Sequence, residues 1–139
     1  MNTFKFRHIV PIQIRFNDVD GQQHVNNAIY QQYFDIGRAG YLGAIKGGNY
    51  ETGGKSFIIA SVKTDFLLPI FMYDKIQVET RTAKIGTKSL TIESRIVETG
   101  TENVKAVCET VFVAFDYDKQ EVLCVTDETR KQIKAYDEG

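Results

Sequence analysis

Three titratable residues, Asp18, Asp20 and His24, lie in a short polar segment that precedes a predicted helix. An aspartate can remove a proton as a general base or attack a carbonyl carbon as a nucleophile. Histidine, with an ordinary pKa of about 6.5, can carry a proton near neutral pH. The same residue types commonly cap helices or form turns. The residues alone therefore leave two interpretations open: an acid–base site, or a turn that starts a helix.

The helix that would position these side chains extends from Asn26 to about Ile45, with Asn26 as a suitable N-cap. Its apolar positions recur at helical spacing, and Tyr33 and Phe34 among them are expected in the core: Ile29, Tyr30, Tyr33, Phe34, Gly37, Tyr41 and Leu42. Gly37 and Gly40 each cost about 1 kcal/mol of helix propensity, which is tolerated where the backbone must approach another element closely. The glycine-dense segment 46–54 is predicted to be a mobile loop.

The remaining chain is strand-like. Alternating apolar residues predict a first strand over Val10–Phe16. Four further strands, expected to form an antiparallel meander, are predicted at Phe57–Leu68, Lys75–Lys84, Lys88–Val97 and Val104–Asp116. Residues 126–133 are predicted to form a short terminal helix. These elements indicate one α+β domain over residues 1–139, in which an antiparallel sheet wraps around one long central helix.

Composition limits the classes of function. The chain has 139 residues, 42% of them hydrophobic and 25% charged, which is typical of a globular domain. A formal net charge of -1 provides no general attraction for nucleic acid or an anionic membrane, so neither is an expected partner. The N-terminus lacks the apolar core of a signal peptide and no run reaches membrane-spanning length, which predicts a cytoplasmic protein. Cys108 and Cys124 show no metal-site or disulfide spacing, and we expect both to be inert.

The segment Arg15–Tyr30 resembles the opening motif of hotdog-fold thioesterases of the 4-hydroxybenzoyl-CoA thioesterase type. The run DVDGQQHVNNAIYQQYFD is especially similar to their acyl-CoA and acyl-carrier-protein branches. The resemblance implies that Asp20 is the catalytic aspartate and that the Asn27 backbone N–H polarises the thioester carbonyl. His24 matches a histidine proposed as a catalytic partner in the carrier-protein branch. Gln22 departs from that branch, which has asparagine at this position.

The resemblance implies hydrolysis of an acyl-CoA thioester, with Asp20 as general base or nucleophile and no cofactor or metal beyond the coenzyme A of the substrate. The first-turn N–H groups of a helix lack intrahelical partners and favour negative charge, which suits the role of the Asn27 amide. An acyl-carrier-protein thioesterase and a noncatalytic acyl-thioester-binding module remain alternatives. A hydratase fits the sequence HVNN less well. The implied assembly is a homodimer with sheets joined edge to edge and active sites between subunits, or a dimer of such dimers.

An acyl-CoA substrate indicates further candidate residues for substrate binding. Tyr30 lies one turn beyond Asn27 and is expected to border the acyl pocket, and Gln22 lies beside Asp20. The resemblance places the hairpin residues Gly86, Thr87 and Ser89 near the thioester and the pantetheine arm. Cations that could bind the phosphates of coenzyme A are Lys63, Lys84, Lys88 and Arg95. A solvated hairpin with charges that serve solubility is the alternative for these lysines.

Overall fold

The computed structural model describes residues 5–45 and 55–139, so the predicted loop at 46–54 lies outside the described residues. A short 3-10 turn at Phe16–Asp18 precedes the first helix. In chain order, the strands and helices are β1 (His8–Ile12), α1 (Asn27–Ile45), β2 (Lys55–Phe66), β3 (Ile76–Ile85), β4 (Ser89–Glu98), β5 (Val104–Asp116), β6 (Glu121–Val122) and α2 (Asp127–Glu138).

The strands form one antiparallel sheet in the order β1-β3-β4-β5-β2, with β6 paired to β5. The predicted meander is confirmed for β3, β4 and β5 but wrong for β2, which pairs with β5 rather than β3. The reason lies just after β2, where the N–H groups of Leu67 and Leu68 both donate to the Lys105 carbonyl at the start of β5. These two hydrogen bonds hold the end of β2 beside β5. The chain then crosses over to β3, which lies beyond β5 and β4 in the same sheet.

Most predicted elements are present, with shifted ends. The first strand ends at Ile12 rather than Phe16, because Arg15 and Asp18 close a 3-10 turn by hydrogen bonding and leave Phe16 81% exposed. Helix α2 is longer than predicted, and its N-cap Thr126 accepts the Thr129 N–H at 3.1 Å. The short strand β6 was not predicted.

Helix α1 packs mainly against β1, β3 and β4. Tyr33 and Phe34 are buried, as predicted. The helix covers less of β2, so the side chains of Ile59, Val62 and Phe66 remain partly exposed. One long helix on an antiparallel sheet is the hotdog fold that the sequence predicts.

Gly37 provides a test of helix packing. A Cβ atom at this position would lie 2.5 Å from Cγ1 of Val78, whereas a Cβ atom at Gly40 would first meet the His8 ring at 3.2 Å. We expect Gly37→Ala to lower the free energy of unfolding by about 1–3 kcal/mol, because overpacking outweighs the gain in helix propensity. Gly40→Ala is the matched control, and its free energy of unfolding, measured by urea titration, should fall by less. Equal stability of Gly37→Ala and the native protein would contradict this prediction.

Candidate active site

A shallow cavity of about 280 Å³ lies at the N-terminal end of α1. Its lining residues are Asp20, His24, Val25, Asn27, Tyr30, Phe66, Leu67, Leu68 and Pro69. The fold therefore brings together Asp20, His24, Asn27 and Tyr30, four of the residues singled out in the sequence. The wall at 66–69 was not predicted as part of the site. A long apolar run that continues past the end of a strand, FLLPIF, is the signal that would have indicated it.

Asp20 lies in a tight turn. Its backbone N–H donates to the His24 carbonyl at 2.8 Å, and the Gln23 N–H donates to the Asp20 carbonyl at 3.0 Å. Gln23 has a φ of 70°, which is unfavourable for a residue other than glycine and marks how sharply the chain bends. The Asp20 carboxylate accepts the Gln22 N–H through Oδ1 at 2.9 Å. Within residues 5–45 and 55–139, Oδ2 accepts no hydrogen bond, so it is free to accept one from water.

The first turn of α1 leaves one amide unpaired beside Asp20. Asn26 caps the helix, as predicted: its Oδ1 accepts the Ala28 N–H at 2.9 Å, and its carbonyl accepts the Ile29 N–H at 2.9 Å. Asn27 lines the cavity, and its backbone N–H has no acceptor in the described part of the chain. A free donor at the positive end of a 19-residue helix can stabilise a developing oxyanion.

Asp18 is buried close to this turn and does not line the cavity. Its carboxylate accepts hydrogen bonds from the Arg15 backbone N–H at 3.0 Å, the Arg15 Nε at 3.1 Å and the Tyr33 hydroxyl at 2.6 Å. The Asp18 carbonyl accepts the Asn26 N–H at 2.9 Å. Burial acts to raise the pKa of this carboxyl, but these hydrogen bonds and the Arg15 charge hold the pKa below its ordinary value. These contacts give Asp18 a structural role, the second of the two interpretations that the sequence leaves open.

Aromatic side chains flank the two ends of the cavity. The His24 ring packs edge-on against Phe71, with centroids 5.0 Å apart. The Tyr30 ring packs in the same manner against Phe66 at 4.9 Å. Burial raises the pKa of Tyr30, so its hydroxyl remains protonated near neutral pH. The cavity thus has an apolar wall opposite a polar turn, a combination that suits an acyl group joined to a polar carrier.

The hairpin that carries three substrate-binding candidates, Gly86, Thr87 and Ser89, lies away from the cavity in a single chain. Ser89 pairs with Val113 near the end of β5, whereas the cavity residue Phe66 pairs with Ala106 near its start. The strand length between these positions is roughly 20 Å. The Thr87 carbonyl instead accepts the Val125 N–H at 2.8 Å, which holds the hairpin against the C-terminal segment. A role for this hairpin in substrate binding remains a prediction.

The candidate phosphate-binding cations also lie outside the cavity lining. Lys63, Lys84 and Lys88 are exposed. The Arg95 Nε donates to Glu79 at 2.6 Å, and the guanidinium group stacks over the Phe6 ring at 4.4 Å. These contacts hold the Arg95 side chain against the sheet. A phosphate-binding role for Arg95 and for the three lysines remains a prediction.

Three further titratable residues lie outside the cavity. Asp35 forms an ion pair with Arg38, and Cys108 is buried, while Cys124 is exposed.

In residues 5–45 and 55–139, no three histidine, cysteine, aspartate or glutamate side chains form a group that could hold a metal ion. No helix in the same ranges is both long and apolar enough to cross a membrane.

Family comparison agrees with the fold. The family model described as the thioesterase-like superfamily matches residues 14–133, a range that includes every residue of the cavity. The chain belongs to the thioesterase-like superfamily. The resemblance seen in the sequence is thereby confirmed at the superfamily level. No curated protein sequence gives a significant match.

Solved structures with the same fold include two at or above 25% identity. A thioesterase from Thermus thermophilus, crystallised with coenzyme A and Zn, is 28% identical over 96% of each chain, with a TM-score of 0.84. The PA5185 protein from Pseudomonas aeruginosa strain PAO1 is 25% identical over 94% of this chain and 91% of that one, with a TM-score of 0.82. YbaW, a probable thioesterase from Escherichia coli, is 20% identical over 94% and 98%, with a TM-score of 0.80, and supports the fold alone.

Proposed function

We propose that the protein is an acyl-CoA thioesterase that hydrolyses an acyl thioester to a free carboxylic acid and coenzyme A. The observation that carries this proposal is that Asp20, His24 and Asn27 line one apolar-walled cavity in a member of the thioesterase-like superfamily, and that the Asn27 N–H is unpaired among the described residues. The similarity to a Thermus thermophilus thioesterase crystallised with coenzyme A supports a CoA thioester as substrate.

In this proposal the carbonyl oxygen accepts the Asn27 N–H, and Asp20 either deprotonates the attacking water or attacks the carbonyl carbon directly. Negative charge then develops on the oxygen at the positive end of α1, where one such donor typically contributes about 10²–10³ in rate. The carbon–sulfur bond breaks, and coenzyme A leaves as a thiol after taking up a proton. If water attacked, the acyl group leaves directly as the free acid; if Asp20 attacked, the acyl group remains on Asp20 as a mixed anhydride, which a water molecule then hydrolyses to the free acid. His24, across the Asp20 turn, is our candidate for the proton carrier.

We infer that the site is completed by a second copy of the chain. In one chain the cavity is open, with Leu67 53% exposed, and open water weakens electrostatic stabilisation of an oxyanion. Among the described residues, the outer edge of β2 pairs with no other strand over residues 58–66, and the inner face of β2 exposes Ile59 and Val62. The opposite edge, β1, contains Pro11, which cannot donate to a further strand. Pairing two β2 edges antiparallel would bring the 86–89 hairpin of one subunit towards the cavity of the other.

A charge near the middle of β2 tests this assembly. We expect the native protein to sediment as a dimer or a dimer of dimers, and Val62→Lys to shift it towards monomer, because two lysines would meet near the twofold axis. Val122→Lys, which charges a comparably exposed valine on β6, should keep the native sedimentation coefficient. A native monomer, or an unchanged assembly in Val62→Lys, would contradict the proposed interface.

The activity is tested by measuring free-thiol release from acyl-CoA substrates of increasing chain length, with acyl-carrier-protein thioesters assayed in parallel. We expect turnover of at least one acyl-CoA class. Turnover of carrier-protein thioesters only would favour the carrier-protein branch. Saturable binding of acyl-CoA without turnover would instead indicate a noncatalytic binding module.

A further inference from the structure

We propose that Lys105 is a positioning residue for this site, because its ammonium group holds the wall segment 67–74 in place; this inference rests on the proposed function. Lys105 is the second residue of β5, is only 7% exposed and does not line the cavity. A buried ammonium group is costly unless several polar groups compensate it. Its contacts therefore identify the part of the molecule that it organises.

The Lys105 ammonium group contacts the wall segment at two points. Its Nζ donates to the Pro69 carbonyl at 3.1 Å and lies 3.4 Å from Oδ2 of Asp74. The same Asp74 oxygen accepts the Phe71 N–H at 2.9 Å, so the cation also stabilises the turn at 71–74. Glu98 lies 3.7 Å from Nζ and supplies a second negative charge.

The backbone of Lys105 contacts the same segment. Its carbonyl accepts the N–H groups of Leu67 and Leu68 at 2.9 and 3.0 Å. These two residues form the exposed wall of the cavity. A side-chain substitution leaves both backbone hydrogen bonds in place and removes only the ammonium contacts. Such a variant should therefore keep the fold while its cavity wall becomes less well ordered.

Contacts continue from the wall segment to Asp20. The Ile70 carbonyl accepts the Val25 N–H at 2.8 Å, and His24 forms a β-bridge with Phe71. The His24 carbonyl in turn accepts the Asp20 N–H at 2.8 Å. Lys105 is thus connected by successive hydrogen bonds to the turn that presents the carboxylate, and loss of its ammonium group should disturb both the wall and the turn.

The test compares Lys105→Met, which keeps an unbranched side chain one heavy atom shorter and without charge, with Lys75→Met, which removes an exposed lysine close to the same segment. We expect kcat/KM for acyl-CoA hydrolysis to fall on the order of 10²-fold in Lys105→Met, the effect of a small misplacement of catalytic groups. Lys75→Met should match the native enzyme. Lys105→Arg, which retains the charge, should recover part of the loss. Native kcat/KM in Lys105→Met would overturn the proposal.

Hydrogen exchange separates this inference from the proposed function, because it requires no turnover. In Lys105→Met the Val25 amide should exchange faster than in the native protein, while amides of α2 keep their native rates. Unchanged exchange at Val25 would overturn the positioning role, and so would equally faster exchange throughout the chain, which indicates general destabilisation. If the native protein hydrolyses no thioester, yet Val25 still exchanges faster in Lys105→Met, the thioesterase proposal alone is refuted.

Discussion

Asp20→Asn is expected to reduce acyl-CoA hydrolysis by about 10²–10⁴-fold while the fold and assembly remain intact. The amide cannot accept a proton from water at neutral pH and is a poor nucleophile. The substitution nevertheless preserves an oxygen that can accept the Gln22 N–H, which is the one hydrogen bond that the Asp20 carboxylate accepts within the described ranges. The loss should therefore appear in kcat, with thermal stability and sedimentation close to native.

Asp118→Asn is the matched control, since Asp118 is also exposed and lies in a loop outside the cavity. Both variants remove one negative charge, so any general effect of net charge on CoA binding appears in both. Turnover by Asp20→Asn equal to that of Asp118→Asn would remove Asp20 from the mechanism and leave the Asn27 amide without a catalytic partner.

Asp18→Ala should cause a large loss of stability rather than a specific loss of chemistry. Asp18 is 1% exposed, and its removal leaves the buried Tyr33 hydroxyl without its acceptor. We expect the free energy of unfolding to fall by about 2–4 kcal/mol in urea titrations. Asn17→Ala, in the same 3-10 turn but exposed, should be close to neutral. Similar stabilities for the two variants would show that the Asp18 contacts contribute little.

The contribution of Asp18 should also depend on pH. Its pKa is lowered on folding, so the native state favours the ionised carboxylate, and the stabilisation is fully present above the ordinary value of 3.8. It is lost as the pH falls through the lowered pKa of the folded state. The stability difference between the native protein and Asp18→Ala should therefore be constant near neutral pH and shrink below about pH 4. A difference that grows towards acid would contradict the assigned shift.

Local features could be predicted because they depend on residues close together in the chain. Helix α1 and its cap at Asn26 follow from apolar spacing and from an amide side chain that reaches an N–H two residues ahead. Gly37 correctly indicated that the backbone of α1 approaches another element closely, since Gly37 faces Val78 on the sheet. The polar half of the cavity was visible for the same reason, because Asp20, His24 and Asn27 lie within one short segment.

Features that depend on distant pairing required the tertiary structure. Strand periodicity identifies which residues form a strand but not its neighbour. The predicted meander therefore puts β2 beside β3, whereas in the structure β2 pairs with β5. That pairing brings Phe66 and Leu67 to the cavity and Lys105 beneath them.

Thus the chemistry-bearing groups could be read from one contiguous stretch of residues. The apolar wall opposite them, its support by Lys105 and the distance to the 86–89 hairpin depend on contacts between residues far apart in the chain, and only folding decides which of those contacts form.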